Sequence, residues 1–89
     1  MNFPAHWELR IDRSVKDTLK RIPRHDMIRI MEVFHTLPKD PYFGDIKKMK
    51  GEPDVWRRRI GSFRIFYRIK LESRLILVFR VERRTSKTY

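Results

Sequence analysis

Along this chain the spacing of hydrophobic positions changes from two residues to three or four and back again, and each change predicts a new element. His6 to Ile11 (HWELRI) reads as a short strand ending at Asp12, whose carboxylate can accept the first unpaired N–H groups of a helix. Val15, Leu19 and Ile22 then recur at helical spacing, which predicts a helix from Arg13 to Ile22. Pro23 ends it and suits the first turn of a second helix, in which Met27, Ile30, Met31, Phe34 and Leu37 form the buried stripe. Pro38, Pro41 and the polar run to Gly51 predict a long loop carrying Lys47, Lys48 and Lys50. Period two returns with VWRRRI, a turn at Gly61–Ser62, FRIFYRIKL, a turn at Glu72–Ser73, and RLILVFRVE, a three-strand antiparallel meander. No repeat or linker interrupts this order. The expected fold is therefore α+β and a single domain over residues 1–89: an N-terminal strand, a helical hairpin and the meander, with the helices on one face of the sheet.

Because side chains alternate across a strand, the same pattern assigns faces. Phe63, Ile65, Tyr67, Ile69 and Leu71 of the middle strand, Leu75, Leu77, Phe79 and Val81 of the last, and Trp56 and Ile60 of the first meander strand are expected against the helices. The opposite face then collects Val55, Arg57, Arg59, Arg64, Phe66, Arg68, Ile76, Val78 and Arg80. Arg58 has the parity of the core, which suggests a bulge or an edge position from which its charged end reaches water.

Charge adds a functional reading. The 89 residues hold 22 Lys and Arg against 11 Asp and Glu, a net charge of +11. From Val55 onward there are eleven basic residues against two acidic ones, Glu72 and Glu82. A field of this sign seeks polyanions, and arginines interleaved with aromatic residues suit phosphates and splayed bases. With no cysteine, there is neither disulfide nor thiolate chemistry. His6, His25 and His35 lie outside the basic strands and share no metal-ligand spacing, Asp40 and Asp45 read as turn residues, and there is no Gly-rich phosphate loop. Neither a metal nor another cofactor is expected. The chain shows no signal-peptide pattern and no apolar run of membrane-spanning length, and a cytoplasmic location is expected.

The stretch DVWRRRIGSFRIFYRI, preceded by KKMKG at Lys47–Gly51 and followed by a hydrophobic strand and VERRTSKTY, resembles the RelE/ParE superfamily of type II toxin–antitoxin toxins over the whole domain. In the RelE branch the resemblance implies metal-independent cleavage of mRNA in the ribosomal A site, with the 2′-hydroxyl attacking to leave a 2′,3′-cyclic phosphate. By motif position, Arg57, Arg59 and Arg64 would act on the reacting phosphate, Arg83 or its neighbour Arg84 would donate a proton to the leaving oxygen, and Tyr89 would serve as general base or base-stacking group. Lys47, Lys48, Lys50, Phe66, Arg68, Arg80 and Arg84 would bind RNA. The partners implied are a cognate acidic antitoxin, mRNA and the 70S ribosome. Alternative readings are a ParE-like inhibitor of DNA gyrase and a non-catalytic RNA- or ribosome-binding module.

Overall fold

The computed structural model describes residues 7–83. Asp12 makes the strand-to-helix step: its backbone is extended, and its carboxylate accepts hydrogen bonds from the Ser14 backbone N–H (3.2 Å) and hydroxyl. Those bonds, the hydroxyl's foremost, hold the Asp12 carboxyl below its ordinary value. β1 (Glu8–Ile11) precedes this cap and α1 (Arg13–Leu19) follows it. The helix ends three residues before the predicted Ile22, which still packs against the core from the connecting turn.

α2 (Arg24–Thr36) starts at Pro23 as expected. Its buried residues are Ile30, Val33 and Phe34, continued by Leu37, while Met31 is 38% exposed. Met31 was expected in the stripe. At ~100° per residue it lies a quarter-turn round from Ile30, on the side away from Val33 and Leu37, so the stripe passes it by.

The remaining strands are β2 (Ile46–Lys48), β3 (Val55–Ile60), β4 (Phe63–Lys70) and β5 (Leu75–Arg83). They form one sheet in the order β1-β5-β4-β3-β2, with β1 parallel to β5 and every other pair antiparallel. β2 lies inside the segment expected to be loop; three residues are too few for alternation to declare a strand, and it exists because Ile46–Lys48 pair with Arg58–Trp56. The two-residue turn between β3 and β4 opens on Gly61 at φ +59°, a conformation that favours glycine.

The core parity predicted for β4 is found at Phe63, Ile65, Tyr67 and Ile69, but Leu71 is 67% exposed in the turn beyond the strand. For β5 the prediction fails over its first half. Ile76 and Val78 are fully buried, whereas Leu75, Leu77 and Phe79 lie toward the other face and are only partly covered. The cause is a β-bulge: Phe66 pairs with Arg80 and the next residue, Tyr67, pairs with Val78, so Phe79 has no opposite number. Alternation read back from the buried Val81 across the bulge comes out inverted, and the run LILVF, apolar throughout, gives no local signal to correct it. Val55 keeps the outward register predicted for it, opposite Arg68, yet is buried beside the loop, where the Met49 N–H donates to its carbonyl (3.0 Å).

Both helices and the inward residues of β3, β4 and β5 close one hydrophobic core, with Leu9 and Ile11 of β1 against its edge. Within it the Tyr67 hydroxyl donates to the Pro41 carbonyl at 3.0 Å and ties the 38–45 loop to the sheet. Burial pushes the Tyr67 phenol up to about 12, with Arg58 opposing and Tyr42 and Asp40 adding to the rise. No helix among the described residues is long and apolar enough to cross a membrane.

Candidate nucleic-acid interface

With the helices on one side, the sheet turns its other face outward, and strand register sets what that face displays. One rung across β3, β4 and β5 reads Arg59, Arg64, Glu82. The next, starting on β2, reads Lys47, Arg57, Phe66, Arg80, and a third reads Val55, Arg68, Leu77. Arg57, Arg59, Arg64, Phe66, Arg68 and Arg80 therefore share a face, as the alternation predicted. The bulge adds Phe79, which had been expected in the core: its ring lies 6.4 Å from that of Phe66, under the guanidinium of Arg68 at 5.4 Å, while Arg80 covers Phe66 at 5.4 Å.

Carboxylates are spaced among these cations. Asp45 contacts Arg59 (3.4 Å), Glu82 contacts Arg80 (2.8 Å) and Arg64 (3.8 Å), and Asp54 contacts Arg68 (2.7 Å) and Lys70 (3.3 Å). Burial alone would raise the Asp54 carboxyl, but the Lys70 hydrogen bond and the charges of Arg68 and Lys70 outweigh it and leave it below the ordinary value. Asp45 and Asp54 are thus counter-ions of the basic face as well as turn residues. Arg57 has no carboxylate partner among the described residues, and its Nε is buried without a hydrogen bond. It borders a hollow of about 290 Å³ whose other walls are Lys47, Lys48, Met49 and Lys50, four cations and no acid. A larger hollow of about 530 Å³, at the β4–β5 turn, is lined by none of Arg57, Arg59 or Arg64. The concentrated positive charge thus lies on an open sheet face and its β2 margin.

Arg83, expected on this face, is turned from it, and so is Arg58. Arg83 is paired with Phe63 and lies over that ring at 5.4 Å, on the helix side of the sheet. Arg58, also of core parity, stays on the helix side beside Val33 and Thr36 of α2: its guanidinium donates to the Phe43 carbonyl at 3.1 Å and fills the space beside Gly44. A Cβ on Gly44 would stand 2.5 Å from Arg58 Cζ, at a backbone φ of +98°. Gly44→Ala is therefore expected to destabilise the protein by ~1–3 kcal/mol, measured by urea denaturation; an unchanged midpoint would show that the loop is not pinned there. Arg84 and Tyr89 lie outside the described residues. His25 and His35 are exposed on α2, behind the sheet.

Known proteins resemble this chain in sequence and in fold. Residues 9–87 match the family model described as ParE toxin of type II toxin-antitoxin system, parDE. The chain belongs to the RelE/ParE toxin superfamily. A Methanocaldococcus jannaschii relative named "Putative toxin RelE1" is 32% identical to this toxin over 83 residues, covering 88% of this chain and 90% of that protein. In fold the toxin is similar to the archaeal RelE-RelB complex from Pyrococcus horikoshii OT3, with a TM-score of 0.82 at 22% identity over 93% of this chain and all of that one. The isolated Escherichia coli RelE toxin aligns with a TM-score of 0.78 at 14% identity, over 91% and 87% of the two chains. At those identities the structures establish the fold, and the RelE/ParE toxin assignment rests on the family model and the RelE1 relative.

Proposed function

We propose that this toxin is a ribosome-dependent mRNA endoribonuclease that works without a metal. The observation that carries the reading is the rung Arg59–Arg64–Glu82 beside Arg57. Arg59 and Arg64 are direct cross-strand neighbours, a position where like charges ~4.5–5.5 Å apart at Cβ destabilise a sheet. Asp45 and Glu82 each hold one member of the pair, whereas Arg57 beside it has no carboxylate partner among the described residues, and such an open face suits an anion from outside. A reacting phosphodiester supplies that anion. The 2′-oxygen bonds to phosphorus, the bond to the 5′-oxygen breaks, and the guanidiniums stabilise the charge that builds on the non-bridging oxygens. Of the two arginines that the resemblance offers as proton donor to the 5′-oxygen, Arg83 is turned to the helix side, so we assign the role to Arg84. The ribosome supplies the scaffold that holds mRNA in line, since orientation alone can contribute ~7–11 kcal/mol of the barrier.

Primer extension on mRNA engaged by 70S ribosomes tests the reading: purified toxin is expected to cut within A-site codons and to leave naked mRNA largely intact. The family match by a ParE description favours a second reading, inhibition of DNA gyrase by direct binding. Loss of gyrase supercoiling without cleavage of ribosome-bound mRNA would establish that reading in place of the first.

The partner proposed for the toxin is a cognate acidic antitoxin, since the P. horikoshii relative was solved as a RelE-RelB complex. Steering by a +11 chain raises on-rates by ~10- to 10³-fold and is screened beyond ~8 Å at physiological ionic strength. The association rate is expected to fall steeply from low to physiological salt, and the complex to weaken when Arg57 and Arg59 are both changed to alanine. Stopped-flow mixing at several salt concentrations measures both; a salt-independent rate with unchanged affinity in the double variant would remove the basic face from the antitoxin's docking surface.

A further inference from the structure

The arginine face contains one carboxylate that turn geometry does not require. Glu82 lies within β5, directly opposite Arg64, and its two carboxylate oxygens are divided between Arg64 Nη1 (3.8 Å) and Arg80 Nη2 (2.8 Å). Its side chain is 31% exposed, so a ligand on the sheet can reach it. For a site that only binds RNA, a negative charge here is a cost, because it repels the phosphates that its neighbours attract. For a site that breaks RNA it supplies what the arginines cannot. Guanidiniums rest protonated at any working pH, so one can give a proton to a leaving alkoxide but none can take one, and a tyrosine of ordinary pKa ~10 is a phenolate in only ~0.1% of molecules at pH 7. A carboxylate is an acceptor.

Building on the nuclease reading, we propose that Glu82 is the general base of the cleavage. A phosphodiester bound by Arg59 and Arg64 lies next to Glu82 on the same rung, with the 2′-hydroxyl of the preceding ribose facing the carboxylate. Glu82 takes the proton of that hydroxyl as the 2′-oxygen bonds to phosphorus; the P–O5′ bond breaks, and the 5′-oxygen takes a proton from the donor assigned above. Arg80 positions the carboxylate through its 2.8 Å contact. Tyr89 is left with the base-stacking role. The charged groups around the carboxylate are Arg64 from β4 and Arg80 on its own strand, with Arg59 one strand further on, itself held by Asp45.

The test compares the full-length toxin with Glu82→Gln and Glu82→Asp on ribosome-engaged mRNA. Single-turnover cleavage is followed at neutral pH, and the affinity for the same programmed ribosomes is measured separately. Glu82→Gln is expected to cut at least ~10²-fold more slowly while binding at least as tightly, because a repulsive charge is gone. Glu82→Asp is expected to retain more activity than Glu82→Gln. A Glu82→Gln rate within about threefold of wild type, or a loss traced wholly to weaker binding, would each overturn the assignment and leave the nuclease reading standing. Wild-type toxin that leaves ribosome-bound mRNA uncut would overturn both.

Discussion

Replacing Arg64 by alanine is expected to lower the single-turnover rate of mRNA cleavage on the ribosome by ~10²- to 10³-fold, the usual loss when one preorganised stabiliser of transition-state charge is removed. Arg64 sits at the centre of the outward rung, between Arg59 and Glu82, and is part-buried. The variant should keep its fold, since the lost side chain contributes no core packing. His25→Ala and His35→Ala serve as controls: both residues are exposed on α2, behind the sheet, and their rates are expected to stay near wild type. A histidine variant as impaired as Arg64→Ala would move the chemistry to the other side of the molecule.

Alkaline pH is expected to unfold the protein partly through Tyr67. The phenol is raised to about 12 in the fold, against ~10 in an unfolded chain. Since the folded value lies above the unfolded one, the stabilisation is complete below pH ~10 and is lost as pH rises toward 12. At 1.36 kcal/mol for each pH unit between the two values, Tyr67 alone accounts for ~2–3 kcal/mol. Tyr67→Phe leaves the Pro41 carbonyl without its donor and is expected to cost ~1–2 kcal/mol at neutral pH. It also removes the group that titrates. The two proteins should therefore converge in stability between pH 10 and 12, as followed by urea denaturation. Curves that stay parallel through that range would show that Tyr67 ionises as readily in the fold as outside it.

Both experiments act on residues whose placement the sequence made legible to different degrees. Alternation in VWRRRI and FRIFYRI places Arg57, Arg59 and Arg64 outward and Tyr67 inward, because polar and apolar residues genuinely alternate there. In LILVF they do not, so neither Phe79 on the basic face nor the burial of Ile76 and Val78 could be read without the pairing of β5 with β4. Arg83 shows the limit of motif matching. The motif offers Arg83 or its neighbour Arg84 without choosing between them, and register turns Arg83 toward Phe63. Arg58 could be recognised as out of pattern, but its destination depends on Phe43 and Gly44, fifteen and fourteen residues earlier in the chain. Glu82 was visible as one acid in a basic segment. Its meaning depends on Arg64 standing opposite, a relation between strands that single-chain periodicity does not contain.

The parallel pairing of β1 with β5 has a practical consequence for handling the protein. The chain enters the sheet at Glu8, beside Leu75, whereas Glu82 stands seven residues further along β5. At ~3.3 Å per residue those points are ~23 Å apart. An affinity tag or fluorophore joined ahead of β1 thus starts at the end of the sheet remote from the Arg59–Arg64–Glu82 rung, while one joined after β5 starts at the nearer end. Fusions for the cleavage and antitoxin measurements belong at the N-terminal side, and the two orientations offer a ready steric control for which end of the sheet meets the ribosome.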